Sequence, residues 1–249
     1  MGEALLGGLL DADWAAPGEV RVVEALAARR DELTERFPGV EVTDVVGPAD
    51  GTVLATKPGD IATACAGLGS DAGRVLSIAA GVRLATLEEV LPAGTPVVRA
   101  MPNTPALVGA GAAAIAGGTS AADDDLAWAE QILAAVGTVV RVSEPLLDAV
   151  TGLSGSGPAY VFLVAEAMVE AGVLVGLPRP IAAELAVQTL LGSARLLAEG
   201  DDGPEALRAA VTSPGGTTAA GLRALEQAGV RAAFLDAVVA ATERSRELG

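Results

Sequence analysis

Along the first half of the chain, apolar positions fall into short continuous or β-branched runs separated by stretches of helical spacing. Val20-Arg21-Val22-Val23 ends at Glu24, and helical spacing follows over residues 25–36. Residues 40–42, 51–56, 74–79 and 96–100 make four more runs. Their ends carry turn or polar chemistry: Lys57-Pro58, Ala80-Gly81 and Pro102-Asn103. Residues 111–115 and 138–142 add two more strands, with a helix over 123–136 between them. Strands alternating with helices at this interval predict βαβ units and a parallel sheet. In such sheets ligands bind outside the carboxyl ends of the strands. Residues 1–10 open the chain as an Ala/Leu/Gly helix with no strand before it.

After residue 142 the strands stop. Residues 143–153 read as helical, and Gly152-Leu153-Ser154-Gly155-Ser156-Gly157-Pro158 is predicted to break the chain. Helices follow over 159–172, 181–200, 203–211, 219–229 and 231–248. The expected division is an N-terminal α/β domain over 1–143 and an all-helical domain over 144–249. The second half carries apolar residues too evenly around each helix to bury within one layer, so it is expected to oligomerise.

Composition narrows the chemistry. With 51% hydrophobic but 2% aromatic residues, the core must be built from Ala, Val and Leu. A net charge of −16 argues against nucleic acid and against anionic membrane surfaces. The apolar windows 106–118 and 159–177 are not read as membrane spans: the first is short and Gly-rich, and the second carries Glu166 and Glu170. Cys65 is the one cysteine, which excludes an intrachain disulfide and fits a reducing cytoplasm. No signal peptide is read at the start. Histidine is absent, which removes Ser-His-Asp and Cys-His catalysis and the commonest metal ligand; no metal is expected.

Two stretches carry candidate chemistry. In Thr212-Ser213-Pro214-Gly215-Gly216-Thr217-Thr218, Pro214 fixes one φ angle, and Gly215 and Gly216 let a ligand approach the bare backbone. Thr217 or Thr218 is expected to cap the helix that follows, whose first N–H groups would face an anion. An ordinary capped turn fits the same local features equally well. At the other end, Gly2 sits where the third glycine of a dinucleotide-binding fingerprint would, and Glu24 ends the next strand at a suitable distance. The strand and first two glycines of that fingerprint are missing, so a central sheet position is expected to be vacant. Glu24 should favour ribose hydroxyls and repel a 2′-phosphate.

Val98-Arg99-Ala100-Met101-Pro102-Asn103-Thr104-Pro105, the segment from Asp148 through Gly152-Leu153-Ser154-Gly155-Ser156-Gly157-Pro158 to Tyr160, and Ser213-Pro214-Gly215-Gly216-Thr217-Thr218 together resemble the pyrroline-5-carboxylate reductase family. The resemblance runs the length of the chain. It implies a Rossmann-like N-terminal domain and a helical dimerisation domain, with reduction of 1-pyrroline-5-carboxylate to L-proline in proline biosynthesis. NADPH is the implied coenzyme, with NADH possible. It implies a homodimer, with larger rings such as decamers, and a pocket that takes residues from two chains. It places Thr218 and Ser213 at the reacting ring, Gly215, Gly216, Thr217, Thr218 and Glu144 around the substrate, and Ala55, Thr56, Lys57, Pro58, Ile78, Ala79 and Ala80, with Gly2 and Glu24, along the coenzyme. Asn103 would orient ligand or brace its loop.

Two other readings remain at this point: a shortened chain acting only as an assembly partner, and a reductase of the β-hydroxyacid dehydrogenase type. The latter class would place a catalytic lysine on the long helix over 181–200. Lys57 is the only lysine, which counts against it.

Overall fold

The computed structural model of the chain describes residues 1–69 and 72–248. By its contacts it divides into two compact units, Met1–Ser156 with Ala240–Gly249, and Gly157–Val239.

In the first unit, a helix, α1 (Gly2–Asp11), precedes β1 (Arg21–Val23), α2 (Ala27–Arg36) and β2 (Glu41–Thr43). Then come β3 (Gly51–Leu54), α3 (Ile61–Leu68), β4 (Arg74–Ser77), α4 (Leu84–Val90) and β5 (Val97–Met101). β6 (Gly111–Gly117), α5 (Asp123–Ala134), β7 (Gly137–Arg141) and α6 (Leu147–Val150) complete it. β3 to β7 form a five-stranded sheet in that order, while β1 and β2 form a separate parallel pair. Arg21 and Glu41, opposite each other in the β1–β2 register, form an ion pair at 2.9 Å.

The period-2 alternation of the strands distributes their side chains to two helical layers. Val75 and Val97 face α3, α4 and α6, where they meet Ile61, Cys65, Leu87 and Leu147. Leu76, Val98 and Ile115 face the opposite layer, packing with Leu5 and Leu9 of α1 and Ile132 and Leu133 of α5. Burial pushes the Cys65 thiol up, so it serves as a small apolar side chain.

Two expectations need correction. The sheet is not all parallel: β5 and β6 are antiparallel. They are joined only by residues 102–110, and a parallel return needs a crossover of about a dozen residues or more. Nor do residues 152–158 break the chain. Residues Glu144–Leu174 form one helical run, widened to a π-helix over Thr151–Gly155. The Ser156 N–H donates to the Thr151 carbonyl at 2.8 Å. The hydroxyls of Thr151 and Ser154 donate back to the carbonyls of Leu147 and Val150, which lets Ser and Thr sit in the run.

The second unit holds α7 (Gly157–Leu174), α8 (Arg179–Glu199), α9 (Pro204–Ala210), α10 (Thr217–Gln227) and the first part of α11 (Val230–Leu248). α7 and α8 pack where a methyl group on Gly172 would stand 2.9 Å from Ala182 Cβ, so the helices approach closely. Yet no α7 residue is buried, and Phe162, Leu163, Leu174, Leu196 and Leu235 are open to solvent. The runs Glu144–Leu174 and Arg179–Glu199 are long and apolar enough to cross a membrane by length and composition. Their apolar residues circle the helix, so one neighbour cannot cover them.

Ile115 is fully buried in the layer beneath α5. Ile115→Ala should lower stability by about 2–5 kcal/mol, read from urea denaturation at fixed protein concentration. A loss below about 1 kcal/mol would contradict this packing.

Candidate active site

The expected coenzyme residues gather after the ends of β1, β3 and β4. Ala55, Thr56, Lys57 and Pro58 follow β3 and are all exposed. Pro58 opens a short 3-10 turn, Pro58–Asp60, and Lys57 forms no ion pair among the described residues. After β4, the Ile78 N–H donates to the Leu54 carbonyl at 3.0 Å, which holds the two strand ends side by side. Ala79 is buried and Ala80 exposed.

α1 begins against this edge. A methyl group on Gly2 would lie 2.8 Å from Ala55 Cβ, so only glycine lets the helix start so near the strand end. Glu3 pairs with Arg29 of α2, and Arg30 of α2 donates to the Glu24 carbonyl at 2.9 Å. Gly2 and Glu3 thus tie the end of β3 to the β1–α2 turn. α1 begins at Gly2, with no side-chain hydrogen bond from its N-cap Met1. A close backbone approach at Gly2, a lysine after β3 and a fixed carboxylate at Glu24 fit a dinucleotide.

In the helical unit, the expected substrate loop is a tight turn. The Gly216 N–H donates to the Ser213 carbonyl at 3.0 Å, with Pro214 second and Gly215 third at φ +71°. That is the pattern of a type II turn, which needs glycine at its third position. A methyl group on Gly216 would collide with Ser213 Oγ. The N-cap of α10 is Gly216, and no side chain caps the helix. The expected threonine cap is therefore absent: Thr217 and Thr218 already lie inside the helix, past the position from which a side chain reaches back to the backbone. Their hydroxyls make no hydrogen bond among the described residues. Thr212 instead donates to the Arg208 carbonyl at 2.6 Å.

Glu144 belongs to the first unit. One of its oxygens accepts from Leu84 N–H at 2.7 Å and from Arg99 Nη1 at 2.9 Å. It thereby caps α4 and balances a buried arginine. Asp148 accepts from the Ser245 hydroxyl at 2.7 Å. With Arg83, Arg99, Pro145 and Arg246 these carboxylates line a cleft of about 370 Å³. Asn103 braces its loop: its Nδ2 donates to the Ser154 carbonyl at 3.0 Å and its Oδ1 accepts from Ala112 N–H at 2.8 Å. Sequence reasoning missed Arg99 as the partner of Glu144. The available signal was a charged residue inside the apolar run 96–100, since a buried charge requires a partner.

An α/β layer with the expected coenzyme residues at its strand ends, followed by helices whose apolar residues are exposed, defines a Rossmann-like unit joined to an all-helical one. Comparison with known proteins sharpens this. The model of the pyrroline-5-carboxylate reductase dimerisation family matches residues 144–248. A pyrroline-5-carboxylate reductase from Synechocystis sp. is 47% identical over 255 residues, covering 100% of this chain and 95% of that protein. The solved pyrroline-5-carboxylate reductase of Coxiella burnetii superposes with a TM-score of 0.94 at 37% identity, covering 100% of this chain and 94% of its own. That of Plasmodium falciparum, solved with NADP bound, gives 0.84 at 28% identity, with 100% and 94% covered. The chain belongs to the pyrroline-5-carboxylate reductase family. Its dimerisation domain makes it a homo-oligomer.

Glu144→Ala should cost about 3 kcal/mol, because it leaves Arg99 buried without its partner and uncaps α4. Glu144→Gln should cost less, since it keeps an acceptor for the Leu84 N–H. Equal denaturation midpoints for the two variants would contradict this account.

Proposed function

We propose that the chain reduces 1-pyrroline-5-carboxylate to L-proline with NAD(P)H, the last step of proline biosynthesis. The observation that carries the reading is the uncapped start of α10 behind the Ser213–Gly216 turn. It offers backbone N–H donors for a small carboxylate and two hydroxyls within one turn. Family membership supplies the substrate's identity.

Gly2, Glu24, the stretch from Ala55 to Pro58, and Ile78 with Ala79 and Ala80 hold the coenzyme. Bound NAD(P)H supplies the hydride. The backbone from Gly215 to Thr218 binds the substrate carboxylate, and the absence of a Cβ at Gly216 keeps that approach open. The Thr218 hydroxyl hydrogen-bonds the ring nitrogen, and Ser213 flanks it. A cyclic imine protonated on nitrogen is already electrophilic, so the residues need mainly to orient it, which suits a chain without histidine. Glu144, held by Arg99 and Leu84, completes the proposed substrate set with its negative charge, which favours the protonated imine.

We place the functional boundary at residue 143, with coenzyme binding over 1–143 and dimerisation and substrate binding over 144–249. The apolar faces of α7 and α8 meet further copies of the chain rather than lipid, as a dimer and then a ring such as a decamer. The enzyme works in the cytoplasm, in keeping with a lone buried cysteine.

The test is oxidation of NADH and NADPH by the purified protein with 1-pyrroline-5-carboxylate; no turnover with either would overturn the reading. Thr218→Ala should lower kcat by roughly 10²-fold, the scale of a lost proton-transfer partner. Gly216→Val should abolish turnover with the fold intact by circular dichroism. Unchanged kinetics in both variants would remove this loop from the site.

A further inference from the structure

We infer that this protein selects NADH over NADPH, and that Glu24 makes the selection; this rests on the reductase reading above and names its coenzyme. Glu24 follows β1 and is held from three directions. Its N–H donates to the Thr43 carbonyl at 2.9 Å, its Oε1 accepts from Leu26 N–H at 2.9 Å, and its own carbonyl accepts from Arg30 Nη1 at 2.9 Å. The carboxylate is therefore a fixed part of the β1–α2 turn, half-buried, with Oε2 unspent. At the end of the strand after the fingerprint helix, a carboxylate accepts hydrogen bonds from the adenosine ribose hydroxyls. A 2′-phosphate in the same place would bring like charges to hydrogen-bond distance.

Acceptance of a 2′-phosphate would require a guanidinium free to meet it. Every arginine on β1 and α2 is already committed. Arg21 pairs with Glu41, Arg29 with Glu3 and Glu32, and Arg36 with Glu3. Arg30 donates to the carbonyls of Glu24 and Ala25 and pairs with Asp44 at 3.3 Å. Recruiting Arg30 to a phosphate would unfasten the turn that carries Glu24. Asp31 and Glu35, also on α2, add to the negative charge of this segment. The structure thus both provides an acceptor for the ribose and withholds the cations a phosphate needs.

The experiment measures Kd for NADH and NADPH by coenzyme fluorescence on the full chain, with kcat/KM for each in parallel. The expected result is a preference for NADH of roughly tenfold or more in both readouts. Glu24→Gln, which keeps an acceptor for Leu26 N–H, should narrow the preference in Kd about tenfold by improving NADPH binding. Wild-type binding of NADPH equal to or tighter than NADH would overturn the inference, as would binding of neither. A preference unchanged in a folded Glu24→Gln variant would remove Glu24 from it; the wild-type comparison stands even if that variant fails to fold. Preferential NADH binding without turnover of 1-pyrroline-5-carboxylate would support the inference while sinking the reductase reading.

Discussion

The constraint on which the α/β unit depends is the charge of Arg99. It stands in the middle of β5, with its side chain 9% exposed, where an unpaired guanidinium would be prohibitively costly. A single carboxylate oxygen of Glu144 answers it and also accepts the Leu84 N–H. One ion pair therefore joins a central strand, the start of α4 and the segment after β7. Leu147, three residues on, is fully buried in the same layer, so the register set by the pair also seats α6 against the sheet. Asp148, one position further, receives the hydroxyl of Ser245 and fixes the end of α11. A short polar seam thus orders pieces from four distant parts of the chain.

Much of this was legible in the sequence because two periodicities govern it. Every strand expected from the apolar runs exists, within a few residues of its expected bounds, since alternation around Val75-Leu76 and Val97-Val98 is dictated by two covered faces. What escaped depends on contacts distant in sequence or on small backbone adjustments. Strand direction at β5–β6 follows from the length of a connection, which periodicity does not encode. The run from Gly152 to Pro158 has the composition of a break; hydroxyls bonding back to carbonyls a turn earlier carry it through as a π-helix. At the proposed substrate loop, the glycines and proline pointed to a turn, but the helix start lay one residue too early for threonine to cap it. Glu144 was legible as a residue of note and Arg99 as an anomaly. Only their meeting explains either.

The helical unit shows one device clearly. α10 begins without a side-chain cap, and a methyl group on Gly216 would meet the Ser213 hydroxyl. An uncapped helix start leaves donors unsatisfied, which a protein tolerates where a ligand completes them. The chain carries one lysine and no histidine. In the proposed site, binding of negative groups would fall largely to backbone dipoles, which neither titrate nor swing away. This suits a protein whose net charge would otherwise repel anions.

The helices α7 and α8 have a consequence for how such a protein responds to change. Where copies meet on these helices, as proposed above, part of each subunit's core would belong to its neighbour. Folding and association then draw on the same free energy, and the melting temperature should rise with protein concentration rather than stand as a constant of the chain. A substitution on these helices would register first as a weaker dissociation constant, while one at Ile115 would act on the subunit itself. The same chain therefore carries two kinds of stability. One is private to the sheet; the other is held in common.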